Sequence, residues 1–273
     1  MSSLDIVGLR ISREGPALTL KLTPGHSIGV FGPSGSGKSA FVDALTGAER
    51  PTSGTVESGL PVRRCEEPGL LRRVTPQSLA KAVSGRQGAT MAAEALGALG
   101  LWDDRQKALT SLSPGQRAAC RLLPVLASGP AILAIDGELD ALDPWTWPRV
   151  WELLQERLQS GSMLVLATHR AELAPQLDSL VVLRRSKLVF AGDFEELRRA
   201  AGPTEMIVET DDQPGVRAIA APFEVKVEQS GQNLRLTAPE GQRLAARLLV
   251  EGYGDVRAVV LREPTPAEIL ARF

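Results

Sequence analysis

The sequence predicts an α/β fold over residues 1–202, followed by a small α+β domain over 203–273. Three observations carry this reading. Short, continuously apolar runs alternate with helical patterns, as in a parallel sheet covered on both faces. The composition shifts at Gly202-Pro203. Beyond that point the chain reads β-α-β-β-α-β, the order of a small ferredoxin-like unit.

Taken in order, "SIGVFG" (Ser27–Gly32) is an apolar strand ending in glycine, and the helical "SAFVDALTG" follows it closely. "SLAKAVSGRQGAT" is weakly patterned, whereas Ala92–Trp102 is rich in alanine and leucine and reads as a helix. "AILAID" (Ala131–Asp136) is apolar at five successive positions and ends in an acid. "PWTWPRVWELLQERLQS" has helical periodicity, and "SMLVLATH" is a third apolar strand. "SLVVLRR" and "KLVFAG" form a terminal hairpin, followed by the helical "FEELRRA". In the second domain Glu205–Thr210 reads as a strand and Pro214–Ala221 as a short helix. "FEVKVEQ" alternates strictly, as a strand with one covered face does. The turn "SGQ", the strand "NLRLTA", the helix "EGQRLAARLLVEG" and the strand "DVRAVVLRE" follow. Thr265, Pro266 and Glu268 form a capping box with proline at the first helical position, so a last short helix closes the chain.

Composition narrows the function classes. Lys plus Arg number 31 and Asp plus Glu 32, for a net charge of -1 over 273 residues. A balance this even supplies no general field for nucleic acid or anionic lipid. The two cysteines, Cys65 and Cys120, fit no metal-ligand or disulfide spacing, which agrees with a reducing compartment. No basic segment followed by an apolar run opens the chain, so no signal peptide is expected. No stretch approaches the ~18 apolar residues that span a bilayer.

The chemistry concentrates in a few motifs. "GPSGSGKS" comprises Gly32, Pro33, Ser34, Gly35, Ser36, Gly37, Lys38 and Ser39, with Ala40 next. It fits the phosphate-loop pattern G-x-x-x-x-G-K-[ST] between a strand and a helix. The glycines let backbone N–H groups turn towards phosphates at a helix N-terminus. Lys38 is expected on the β- and γ-phosphates and the Ser39 hydroxyl on Mg²⁺. Asp136, a carboxylate ending a buried strand, is the expected second Mg²⁺ partner.

Three further pieces complete the pattern. "SLSPGQR" (Ser111–Arg117) precedes Asp136, "ALD" (Ala141–Asp143) follows it, and "LATHR" places His169 after the third strand. With the phosphate loop, this set resembles the ATP-binding subunits of ABC transporters over about Leu4–Leu197. The resemblance implies a P-loop ATPase fold of the ABC type, with a reduced helical subdomain at about residues 78–118. ATP and Mg²⁺ are the implied cofactors. The implied partners are a membrane-spanning permease and a second ATP-binding subunit, the same chain or another. The implied location is the cytoplasmic face of the cell membrane. It makes Ser113, Gly115 and Gln116 the signature that closes over a partner's nucleotide. It makes Gln77 the Mg²⁺-sensing glutamine that faces the permease, Asp143 an interface residue, and His169 the contact to the γ-phosphate.

The sequence also departs from the family. Gly137 stands where a glutamate normally orients the attacking water, and Glu138 occupies the next position. A one-residue shift in an extended chain reverses the side-chain direction, although a flexible glycine could re-aim Glu138 towards the water. Slow hydrolysis, a dimerisation switch with little or no hydrolysis, and a degenerate half of a heteromeric pair are the three resulting readings. Pro114 replaces a signature glycine, and Ala40 replaces a hydroxyl residue. Pro124 is expected to kink the helix after the signature. No aromatic residue precedes Phe31, which leaves Arg13 to stack on adenine. The ending "PTPAEILARF" resembles the C-terminal extensions of exporter subunits.

Overall fold

The computed structural model describes residues 3–12, 15–68, 74–84, 88–231, 233–252, 255–262 and 264–273. It divides into two units, Met1–Phe194 and Glu195–Phe273.

The first unit contains two sheets. Strands β1 (Leu4–Arg10), β2 (Leu18–Leu22) and β4 (Ser53–Ser58) pair antiparallel in the order β2-β1-β4. The second sheet contains β3 (Ser27–Phe31), β5 (Val62–Arg64), β6 (Ile132–Asp136), β7 (Met163–Ala167), β8 (Ser179–Arg184) and β9 (Lys187–Gly192). Its order is β5-β6-β7-β3-β8-β9, parallel except for the β8–β9 hairpin. Every residue of β3 and β7 is buried, which explains their unbroken apolar runs. Helix α1 (Lys38–Leu45) buries Phe41, Val42, Ala44 and Leu45 in a core built from both sheets. The Ser27 N–H and hydroxyl donate to Asp178 Oδ2 at 2.8 and 2.7 Å, tying the start of β3 to the residue before β8.

The helices of this unit are α2 (Pro76–Val83), α3 (Gly88–Ala98), α4 (Pro114–Cys120), α5 (Leu123–Leu126) and α6 (Trp147–Gln159). Two differ from the sequence reading. The weakly patterned stretch contains α2, started by Thr75, whose hydroxyl accepts from the Ser78 N–H while Ser78 Oγ accepts from the Thr75 N–H. Helix α3 lies earlier than Ala92–Trp102. Its end is closed by Leu101 N–H to Leu96 O (2.8 Å) and Gly100 N–H to Gly97 O (3.0 Å), the bond pair of a Schellman cap. Pro124 does more than kink the helix after Ser113. Its ring disfavours an intact helix through the carbonyl four residues back, which is that of Cys120, where α4 ends. The chain restarts as α5 with the proline in its first turn. Arg157 of α6, only 7% exposed at its side chain, donates to Leu126 O (3.0 Å) and Glu94 Oε2 (2.7 Å), tying α6 to α5 and α3.

The division falls within α7 (Phe194–Ala200), eight residues before the expected 202/203 boundary. The second unit continues with β10 (Thr204–Thr210), α8 (Gln213–Ala220), β11 (Lys226–Ser230), β12 (Asn233–Ala238), α9 (Gly241–Glu251), β13 (Val256–Arg262) and α10 (Pro266–Ala271). Its sheet order is β11-β12-β10-β13, antiparallel throughout. Met206, Val208, Leu234 and Leu236 pack with Val216 of α8 and Leu244 and Leu248 of α9. Strand β11 is shorter than "FEVKVEQ" because the Phe223 N–H closes α8 on Ala220 O instead (2.9 Å).

Candidate functional site

The phosphate loop leaves the end of β3. Gly32 has φ 146, and a Cβ there would lie 2.2 Å from Leu183 O, so only glycine lets the loop pass β8. The Ser36 N–H donates to Pro33 O (3.1 Å), and the Ser186 N–H donates to Ser36 O (2.9 Å), fastening the loop to the β8–β9 turn. Ser36 is buried, and its hydroxyl has no hydrogen-bond partner among the described residues. No side chain caps the N-terminus of α1, which begins after Gly37. Its first-turn N–H groups and the positive end of its dipole are therefore open to an anion.

Lys38 Nζ donates to Gly32 O (2.7 Å) and Pro33 O (3.1 Å), which folds the ammonium back over the loop. Partial burial lowers the Lys38 pKa, opposed by the charges of Asp136 and Asp140. Pro33, Ser34, Gly35, Ser39 and Ala40 are exposed, and the Ser39 hydroxyl makes no hydrogen bond among the described residues. The strand register carries Asp136 to the same sheet edge: Asp136 pairs with Ala167, and Ala167 with Val30 of β3. These groups fit a Mg²⁺-bound polyphosphate. Among the described residues no cluster of three or more His, Cys, Asp or Glu side chains could hold a metal alone. A Mg²⁺ ion at Ser39 and Asp136 would complete its shell with water and substrate phosphate oxygens.

The turn after Asp136 is where sequence and structure part. Gly137 has φ 88 and ψ −7, donates to Ala167 O (2.9 Å) and accepts from the Asp140 N–H (3.0 Å). The glycine does re-aim Glu138, but not towards the phosphate loop. Glu138 Oε2 accepts from the backbone N–H of Asp136 at 2.7 Å. That N–H belongs to the side of β6 that faces β5, since Ala134 O accepts from the Cys65 N–H. The carboxylate lies beside Cys65, whose thiol is pushed well up first by burial and then by the Glu138 charge. Strand β5 is on the far side of β6 from β7 and β3.

His169 is exposed, and its backbone N–H donates to Asp140 Oδ2 (2.9 Å). The Thr168 hydroxyl donates to Asp140 Oδ1. Asp143 accepts from the N–H groups of Trp145 and Thr146, both at 2.9 Å, and so shapes the start of α6. Its carboxyl is held below the ordinary range, first by Thr146.

Ser113 caps α4: its hydroxyl accepts from the Gln116 N–H (3.1 Å), and Gln116 Oε1 accepts from the Ser113 N–H (3.0 Å). Gln116 Nε2 also donates to Asp104 Oδ2 (2.5 Å). Gly115 is exposed with open space around it. Gln77 sits in the first turn of α2, its backbone N–H on Arg105 O (2.9 Å). Its side-chain amide makes no hydrogen bond among the described residues, so this structure does not join it to Ser39 or Asp136. Arg13 lies outside the described residues. The sequence reading left Asp140, Thr168 and Arg170 without roles. Their one signal was the acid cluster around Asp140, whose partners lie 28–29 residues away.

A phosphate loop, an acid and a histidine at one edge of a mostly parallel sheet define a P-loop nucleotide-hydrolysing protein. Comparison with known proteins narrows the class. Residues 16–138 match the ABC transporter family. The Nod factor export ATP-binding protein I of Ralstonia nicotianae is 30% identical over 277 residues, covering 90% of this chain and 84% of that protein. The doxorubicin resistance ATP-binding protein DrrA of Mycobacterium tuberculosis is 26% identical, covering 91% and 84%. Among solved structures, an ATP-binding subunit of an ABC transporter superposes with a TM-score of 0.60 at 20% identity, covering 72% of this chain and 92% of that one. The chain belongs to the ABC transporter family, as an ATP-binding subunit. It is an ABC-type ATPase that uses ATP and Mg²⁺. Subunits of this kind dimerise and work with membrane permeases.

Proposed function

We propose that this subunit binds Mg-ATP at Gly32–Ala40 and Asp136 and hydrolyses it slowly, to drive a membrane-spanning permease. The single observation that carries the slow rate is the turn after Asp136. Position 137 has no side chain, and the Glu138 carboxylate is engaged by the Asp136 N–H. Bound ATP supplies the γ-phosphoryl group, and Mg²⁺ offsets its charge.

The chain's own residues do the rest. First-turn N–H groups of α1 and Lys38 hold the phosphates, and Ser39 and Asp136 hold the ion. His169 contacts the γ-phosphate from the end of β7. Ser113, Gly115 and Gln116 cover the nucleotide of a second ATP-binding subunit, and Gln77 lies on the permease side. Loss of a general base lowers a rate by ~10²–10⁴ while electrostatic stabilisation persists.

Export is the direction we favour. The Nod factor export and doxorubicin resistance relatives align with 90% and 91% of this chain, whereas the methionine import relative MetN from Streptomyces avermitilis aligns with 67%. No described helix is long and apolar enough to cross a membrane, so attachment to the cytoplasmic face of the membrane runs through the permease. Phosphate release from the purified complex tests the reading. Glu138→Gln, whose amide oxygen still accepts from the Asp136 N–H, is expected to leave the rate within about twofold, since the ~10²–10⁴ of a general base is not at stake. A larger fall would make Glu138 the catalytic carboxylate. A rate at background with ATP-dependent dimerisation intact would favour the second reading, a binding switch, which the same turn also supports. A second kind of ATP-binding subunit in the complex would identify a heteromeric pair.

A further inference from the structure

The carboxylate of Asp140 is bonded at both oxygens to the segment that carries His169. The Thr168 hydroxyl donates to Oδ1, and the His169 N–H donates to Oδ2 at 2.9 Å. Thr168 is 1% exposed, and its oxygen also accepts from the Arg170 N–H at 3.0 Å. The Arg170 guanidinium closes the other side. Its Nε lies 4.0 Å from Asp140 Oδ1 and donates to Leu139 O (3.3 Å), and its Nη2 donates to Leu142 O (3.1 Å). It also stacks 4.7 Å from the centre of the Trp147 ring of α6. The turn Leu139–Leu142, which lies between Asp136 and Asp143, is thus clamped to the segment 168–170 by one charged network. Charge-assisted bonds of this kind are shorter and stronger than neutral ones. An asparagine would satisfy only one of the two donors with its oxygen and turn an N–H₂ towards the other.

We propose that Asp140 is the positioning residue for His169, setting where the histidine stands at the phosphate edge and joining it to the turn that carries Asp143. This rests on the reading of His169 as the γ-phosphate contact. Asp140 then governs γ-phosphate sensing and not nucleotide binding in general.

The test is the ratio of ATP to ADP affinity of the full chain, measured by titration with Mg²⁺ and needing no hydrolysis. His169→Ala sets the scale. Asp140→Ala is expected to lower the ratio about tenfold, the low end of what a hydrogen bond to a charged group contributes, with ADP affinity unchanged. In the His169→Ala background it should add less than about twofold, because residues acting through one contact are not additive. Thr168→Val should fall between, Thr168→Ser should keep the parent ratio, and Asp140→Asn should lose part of it. If Asp140→Ala does not fold, Asp140→Asn and Thr168→Val carry the same test. A ratio lowered by His169→Ala but untouched by the Asp140 and Thr168 variants overturns the proposal alone. So does a full additional loss in the double variant. A ratio unmoved by His169→Ala overturns the reading of the histidine, and the proposal with it.

Discussion

Replacing Gly137 separates its backbone role from the side chain it lacks. The residue has φ 88, and hydrogen bonds on both sides hold it there, to Ala167 O at 2.9 Å and from the Asp140 N–H at 3.0 Å. It cannot leave the left-handed region without breaking one of them. A Cβ at this position meets nothing within 4 Å, so the cost of Gly137→Ala is conformational and not steric. A non-glycine residue in that region costs about 1–2 kcal/mol. For a unit of this size, that lowers Tm by about 2–8 °C. Gly137→Glu carries the same cost and places a carboxylate directly after Asp136. Its phosphate release is expected to rise at least tenfold over both the parent and Gly137→Ala, towards the ~10²–10⁴ of a general base. Thermal melts and a coupled phosphate assay on the purified complex read both effects. An alanine variant as stable as the parent would mean that the turn relaxes and that its bonds do not hold φ. A glutamate variant no faster than the alanine variant would refute the claim that the empty position limits hydrolysis.

The remaining predictions are smaller in scope. Lys38→Ala removes a charged donor worth about 1.5–3 kcal/mol and should weaken ATP binding by about 10–100-fold in a nucleotide titration; unchanged affinity would contradict the site. Burial pushes the Cys120 thiol up to about 12, so it should resist alkylation at pH 8 until the protein unfolds. Glu138→Gln should speed Cys65 alkylation, because removing the neighbouring charge favours the thiolate; an unchanged rate would show that the carboxylate is not beside Cys65. Asp143 has its folded pKa below the ordinary aspartate value of 3.8, so its contribution to stability is complete above that pH and disappears as pH falls through the folded value. The Tm gap between the parent and Asp143→Ala should therefore be present at neutral pH and shrink below about pH 4; a gap independent of pH would exclude this role.

What could be read in advance followed the range of the physics. The phosphate loop, Asp136 and the Ser113 cap depend on neighbours within a few residues, so spacing reveals them. Helix α2 was missed because its cap pairs Thr75 with Ser78, and serine at that position is a weaker signal than glutamate or glutamine. Helix α3 was misplaced because apolar residues continue past Ala98 into the Leu99–Leu101 turn. The direction of Glu138 was illegible for another reason. It depends on the Asp136 N–H pointing to the β5 edge of β6 and finding no strand partner there among the described residues, and that follows from the strand order β5-β6-β7. Asp140 carried no local signal beyond the acids around it, since both of its donors come from the residues that follow β7.

The bonds among Ser113, Gln116 and Asp104 have a consequence for association. The segment is ordered within a single chain, by its own reciprocal cap and a side chain from the preceding loop. Fixing a free backbone residue costs roughly 1–2 kcal/mol, so a disordered four-residue segment would subtract roughly 4–8 kcal/mol from any complex it joined. Here that entropy is lost during folding. A second subunit would meet a surface already set, leaving the strength of pairing to depend on the contacts made and not on the ordering of the segment that makes them.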